Sequence, residues 1–182
     1  MAFYSGYLAK MCGDRPCPPR AGWSEMAWSW LGAFVGMLLV AGLDRLLFRG
    51  TDGVLMIASF GASAVLLYGA PTSPLAQPRN LLGGHLLSAF IGVACYRLLP
   101  QLDWVAAALA VSVSILVMHL TRTLHPPAGA TALIAVIGSP KIHSLGFIYP
   151  LLPVFTGAVL LLAVAVLINN LVPNRRYPLW WF

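Results

Sequence analysis

The run Arg122-Thr123-Leu124-His125-Pro126-Pro127-Ala128-Gly129-Ala130-Thr131 gathers more groups able to do chemistry than any other stretch of the sequence. Adjacent prolines belong at a helix start, where a missing N–H costs nothing, so a helix is expected to open at Pro126 or Pro127. Its free amides and positive dipole end would lie beside Gly129, which has no side chain to block a ligand, and beside the Thr131 hydroxyl. Such an end accepts anions. Arg122 would supply the complementary charge, with snorkelling to the interface as its competing role and Asp44 as the expected partner of any intramembrane arginine. Histidine is the side chain able to change charge near neutral pH, so His85, His119 and His125 would carry or gate protons; the competing reading of each is a buried, hydrogen-bonded ring. His143 reads as a loop residue.

The stretch Gly61-Ala62-Ser63-Ala64-Val65-Leu66 returns 68 residues later as Gly129-Ala130-Thr131-Ala132-Leu133-Ile134. Each copy is followed by Gly-x-Pro, at Gly69 to Pro71 and at Gly138 to Pro140. By this repeat Ser59-Phe60-Gly61-Ala62-Ser63 is the counterpart helix start, adding Gly61 and the Ser59 and Ser63 hydroxyls to the candidate site. Two short helices from inverted halves, amino ends facing near the midplane, suit an anionic substrate. The competing reading is that these small residues only permit close helix packing.

The elements that position these groups are apolar. Of 182 residues 59% are hydrophobic and 9% charged, with mean hydropathy +0.82, against about 25% charged in a soluble domain. The chain is therefore read as an all-α polytopic membrane protein with about six transmembrane segments: Ala27 to Phe48, Val54 to Ala70, Leu81 to Leu99, Trp104 to Leu120, Pro126 to Gly138 and Leu145 to Val172. The second and fifth are short or broken, since some thirteen residues of helix span about 20 Å of a core about 30 Å thick. The repeat makes residues 27–99 and 104–172 two inverted three-helix halves of a membrane domain over 26–173. Residues 1–25 form a cytoplasmic, poorly ordered segment and 174–182 an interfacial tail. The first apolar run reads as a retained span.

If all six segments cross, Lys10, Arg15, Arg20, Arg79, Arg122, Arg175 and Arg176 lie on one side and Arg45, Arg49, Arg97 and Lys141 on the other. Seven against four puts both termini in the cytoplasm, for a protein of a bacterial inner membrane. Trp23, Trp28, Trp30, Tyr177, Trp180 and Trp181 suit headgroup anchors. The +6 net charge is scattered singly and argues against nucleic acid. Three cysteines match no zinc spacing, and no hydrolase, zincin or phosphate-loop motif is present. No enzyme activity and no cofactor are expected; a metalloenzyme using His85, His119 and His125 is the less favoured alternative. A homodimer is the expected assembly.

The tripeptide His125-Pro126-Pro127, with Ser59 to Ala64, Pro74-Leu75-Ala76-Gln77-Pro78-Arg79-Asn80 leading to Gly84-His85, Ala128 to Ala132, Asn169-Asn170-Leu171 and Arg175-Arg176-Tyr177-Pro178, resembles the HPP family of integral membrane proteins. The resemblance covers about residues 28 to 178. It implies a membrane transporter, and nitrite is the anion associated with members of the family, which is usually described with four spans. The expectation is thus a carrier of a small monovalent anion, nitrite first, with a passive anion channel as alternative. Gly61, Ser63, Gly129 and Thr131 would contact it, helped by Ser59, Arg122, His125 and His85. Arg79 and Asn80 would line the inner mouth or clamp a loop.

Overall fold

The computed structural model describes residues 7, 10, 11, 16–47 and 52–182, with side chains other than those of 47 and 52–57. The expected disorder of the first residues, and Arg15 and Arg49 of the charge count, lie outside them.

Helix α1 (Trp23–Leu47) is followed by α2 (Asp52–Ala64), which a π turn, Val65–Gly69, extends. A 3-10 turn at Pro74–Ala76 leads into α3 (Pro78–Leu98), and α4 (Asp103–Thr121) and α5 (Pro127–Ile137) come next. The short α6 (Pro140–Leu145) runs into a 3-10 turn, Gly146–Ile148; a π-helical stretch, Pro150–Phe155, then enters α7 (Thr156–Leu171). No strand occurs among the described residues. Four helical runs are long and apolar enough to cross a membrane: Trp23–Leu46, Pro78–Leu98, Asp103–Thr121 and Pro150–Leu171. A fifth arises if α5 and the Pro140–Ile148 run, bent by 94° at their junction, form one broken span.

Two expectations need correction. The sixth segment is not a single run from Leu145. Gly146 turns the chain at φ 50°, and the backbone at Leu152 is extended (φ −129°, ψ 112°) between Pro150 and Pro153, residues that donate no amide to a helical ladder. The long helix therefore runs on unbroken only from Pro153, after the kink at Leu152. Nor does a helix open at Ser59: α2 runs unbroken from Asp52 to Ala64, because Val54 to Ala58 contain no proline or glycine to interrupt the ladder. Gly61 and Ser63 lie in the last turns of α2.

Helix α3 is the centre of the bundle, packed on α4, α5 and the Pro150–Phe155 stretch. Its faces are small: Gly84, Ser88, Ala89 and Gly92 are buried. A Cβ at Gly92 would run into the Ala132 carbonyl oxygen and come within 2.8 Å of the Ala135 Cβ, so α3 and α5 touch backbone to backbone. Ala128 and Ala132 of α5, and Ala106 and Ala110 of α4, are fully buried beside it. Between apolar helices in lipid, such close approach and its dispersion contacts replace the hydrophobic drive of a soluble core. Many bulky apolar residues point outward, with Trp30, Phe34 and Leu38 on α1, Leu116 and Leu120 on α4 and Leu167 and Leu171 on α7 exposed. A surface of this kind requires acyl chains around it.

Gly92→Leu should destabilise the fold by at least the ~1–3 kcal/mol typical of overpacking, read as a lower thermal unfolding midpoint in detergent, because a backbone carbonyl cannot move aside. Gly42→Leu, at a position with nothing within 4 Å, should leave the midpoint unchanged.

Candidate functional site

Arg122 ends α4 in the left-handed conformation (φ 56°, ψ 39°), turning the chain inward. The turn is closed by Thr123 N–H donating to the Met118 carbonyl at 2.9 Å. Two residues at the start of α3 hold the loop between α4 and α5: Arg79 donates to the Thr121 carbonyl and Asn80 to the Leu124 carbonyl, both at 2.8 Å. Of the two roles expected for Arg79 and Asn80, these bonds are those of a loop clamp. Gly83 and Gly84 of α3 leave room for the loop, since a Cβ at Gly84 would sit 2.8 Å from that of His125. His125 is thereby pushed, fully buried, against α3.

There it meets three other buried groups. The Ser63 Oγ of α2 lies 2.8 Å from His85 Nε2 and 2.9 Å from His125 Nε2. His85 Nδ1 lies 2.7 Å from the Thr131 Oγ1 of α5, and His125 Nδ1 lies 2.8 Å from the Leu75 carbonyl. The two rings sit 5.0 Å apart between centroids, with Phe60 packed 5.2 Å from His85. All four side chains of this chain of bonds are at most 1% exposed.

The hydrogen positions are set by what each atom can do. A carbonyl only accepts, so His125 Nδ1 carries a proton and, in the neutral ring, Nε2 accepts. Ser63 then donates to His125 Nε2, must accept from His85 Nε2–H, and leaves His85 Nδ1 to accept the Thr131 hydroxyl. Every bond points one way, from Thr131 through His85, Ser63 and His125 to Leu75. Ser63 also has a second acceptor, the Ser59 carbonyl at 3.3 Å.

Ser63, His85, His125 and Thr131 are thus brought together, with Ser59 contributing its backbone. The other expected residues stand apart. A Cβ at Gly61 would meet nothing within 4 Å, and one at Gly129 only Val111 Cγ1 at 3.8 Å, so no described protein group packs closely on either glycine. The amides expected to be free at the start of α5 are taken: Ala128 N–H donates to the His125 carbonyl at 2.9 Å and Gly129 N–H to that of Pro126 at 3.1 Å. The proline pair that starts the helix also folds its own first turn back on it. Arg122 is exposed. His119 is exposed too, and no three His, Cys, Asp or Glu gather at metal-ligating distance among the described residues. All four ring nitrogens of His85 and His125 are already engaged. His143 stacks on Tyr96 with centroids 3.8 Å apart and bonds the Val136 carbonyl.

Residues 18–178 match the family model for the HPP transmembrane region. The chain belongs to the HPP family. Two transmembrane proteins of Dictyostelium discoideum resemble it, one 42% identical over 184 residues and the other 43% over 168. These alignments cover 99% and 91% of this chain but 58% and 59% of the relatives, so the chain spans under two thirds of their length. No solved structure matches. In this HPP protein the tripeptide itself divides its labour, with His125 in the hydrogen-bonded chain and Pro126 and Pro127 starting the helix that carries Thr131.

Three participants gave no sign of their roles in the sequence. The Leu75 acceptor is backbone; Tyr149 reaches the Thr131 carbonyl at 3.1 Å from across the bend; and Arg175 fastens the start of α1 to the ends of α2 and α7. Arg175, its side chain 5% exposed, pairs with Glu25 and also donates to Ser29, the Tyr68 carbonyl and Asn169. Tyr177 beside it donates to the Ala76 carbonyl at 2.7 Å, next to Leu75.

Ser63→Ala removes the oxygen that bridges the two rings and strands two buried ring nitrogens, which at ~1–3 kcal/mol each should cost ~2–6 kcal/mol of stability in detergent unfolding. Thr131→Ser, which keeps the hydroxyl, should cost a smaller share.

Proposed function

We propose that this HPP protein transports a small monovalent anion, nitrite first, through a site formed by Ser63, His85, His125 and Thr131. One observation carries the reading: two histidines and two hydroxyls, all fully buried, joined in one chain of hydrogen bonds inside a largely apolar bundle. Ionisable residues within a membrane are costly and mark pathways for substrate or protons. The cluster offers hydroxyl and ring N–H donors and no carboxylate, a set that suits an anion and repels nothing negative. Exposed Arg122 and half-buried Arg79, both at the end of α4, supply positive potential at its mouth.

The proposed architecture is six crossings in two inverted halves. Arg175 ties the start of α1 to the end of α2 and to α7, Tyr177 ties the tail to the turn before α3, and Arg79 ties the start of α3 to the end of α4. Those helix ends therefore share one face, and α1, α2, α3, α4, the bent α5–α6 pair and the final helix alternate in direction. Residues 52–69 make about 27 Å of helix at 1.5 Å per residue, close to a membrane core. Ser63 and Thr131, equivalent in the sequence repeat, both bond His85, one through each ring nitrogen. The excess of Lys and Arg makes the shared face cytoplasmic. A closed, self-bonded cluster favours a carrier that must open over a continuous channel.

Nitrite uptake into proteoliposomes, with protein-free vesicles subtracted, should saturate and fall at least about tenfold in His85→Ala. Gly61→Leu and His119→Ala, outside the cluster, should keep it. Protein-dependent flux that never saturates would make the protein a channel, and no flux of any small anion would end the transport reading.

A further inference from the structure

We infer that the anion is carried together with one proton, which the chain Thr131–His85–Ser63–His125 takes up and passes on. This rests on the transport reading above and names its co-substrate.

The geometry provides both states of the relay. In the neutral state Ser63 donates to His125 Nε2. A proton accepted by the Thr131 oxygen lets the Thr131 hydroxyl proton pass to His85 Nδ1, the His85 Nε2 proton to Ser63 Oγ, and the Ser63 proton to His125 Nε2. Each heavy atom gains one proton and gives one up until His125, which keeps the extra one and becomes an imidazolium. No other bond forms or breaks. His125 Nε2–H then donates to Ser63 Oγ, whose own proton, received from His85, points back to His85 Nε2. The same four bonds therefore survive protonation, three of them with donor and acceptor exchanged. The other His125 proton, on Nδ1, keeps its bond to the Leu75 carbonyl throughout, so the extra proton leaves by the same steps in reverse when the carrier opens to the other side.

The charge created has no built-in counter-ion among the described residues. Helices α5 and α7 carry no ionisable side chain, and α2 presents none among its described side chains. On α3, Arg79 is spent on the Thr121 carbonyl; from α4 come only exposed Asp103 and His119, followed by exposed Arg122. Tyr149 reaches the Thr131 carbonyl, Tyr177 the Ala76 carbonyl, and Arg175 is paired with Glu25. Asp44 belongs to α1, which packs on α2 and α7 rather than on the rings. A lone imidazolium, or a lone anion, would thus be an unpaired charge in an apolar interior, whereas the two together are neutral. Each raises the affinity for the other by the same factor. The resulting stoichiometry is one proton per monovalent anion, moving no net charge.

The test uses the intact protein in vesicles loaded with a pH dye, with the potential clamped by potassium and valinomycin and the protein-free leak of nitrous acid subtracted. One proton should enter per nitrite, the initial rate should ignore the clamped potential, and an inward proton gradient of one unit should raise it severalfold. His125→Gln, which can still reach the Leu75 carbonyl but holds no proton, should lose the response to the gradient while eluting as folded protein. Saturable nitrite uptake that follows the potential and moves no proton would overturn the proton relay and leave transport standing. Absence of any protein-dependent anion uptake would overturn both.

Discussion

One serine oxygen held between two buried imidazoles is the contact around which this protein is arranged. Two neutral rings in an apolar bundle present four nitrogens, and each left without a partner would cost on the order of 1–3 kcal/mol. Ser63 satisfies one nitrogen of each ring, Thr131 a third and the Leu75 backbone the fourth. To bring those partners together, segments from four places in the chain must meet at one point. The small faces of α3, the left-handed residue that ends α4 and the double proline at the head of α5 all serve that meeting.

The cluster is positioned from two directions. Along the bundle, backbone contact between α3 and α5 at Gly92 and Ala132 fixes His85 relative to Thr131 to within the length of a hydrogen bond. Across the shared helix ends, side chains grip loops by their carbonyls: Arg79, Asn80, Gln77 and Tyr177 each donate to one. Charged and amide side chains thus act mostly as loop fasteners here, while the chemistry is left to uncharged rings and hydroxyls. That division explains why the exposed cations, Arg122 among them, stand away from the cluster.

Much of this was legible in the residues. Apolar runs of membrane length gave α1, α3 and α4 to within a few residues, and the two prolines gave the start of α5. The repeat of Gly-Ala-Ser-Ala and Gly-Ala-Thr-Ala drew attention to Ser63 and Thr131, and His85 and His125 stood out as ionisable groups in apolar surroundings. What the sequence hid was backbone. An anion site at α5 presupposed free amides, and whether the first turn folds back on itself is decided by local dihedral angles that two prolines do not fix. The apparent symmetry of the repeat also misled at Ser59, because only the second copy carries the prolines that end one helix and start another. The break at Gly146 to Pro153 falls in an apolar run whose hydropathy alone reads as continuous.

The bond between Glu25 and Arg175 joins residues 150 apart, and through Ser29, Tyr68 and Asn169 it fastens the first helix to the last. On a ribosome the chain is made from its amino end, at about 5–20 residues per second. Arg175 emerges only after every helix of the bundle has been made, so Glu25 waits through the synthesis of all of them for its partner. The end that this pair closes is therefore the last part of this helix bundle to come together. A chain truncated before Arg175 would hold every helix and still lack the fastening that makes them one body.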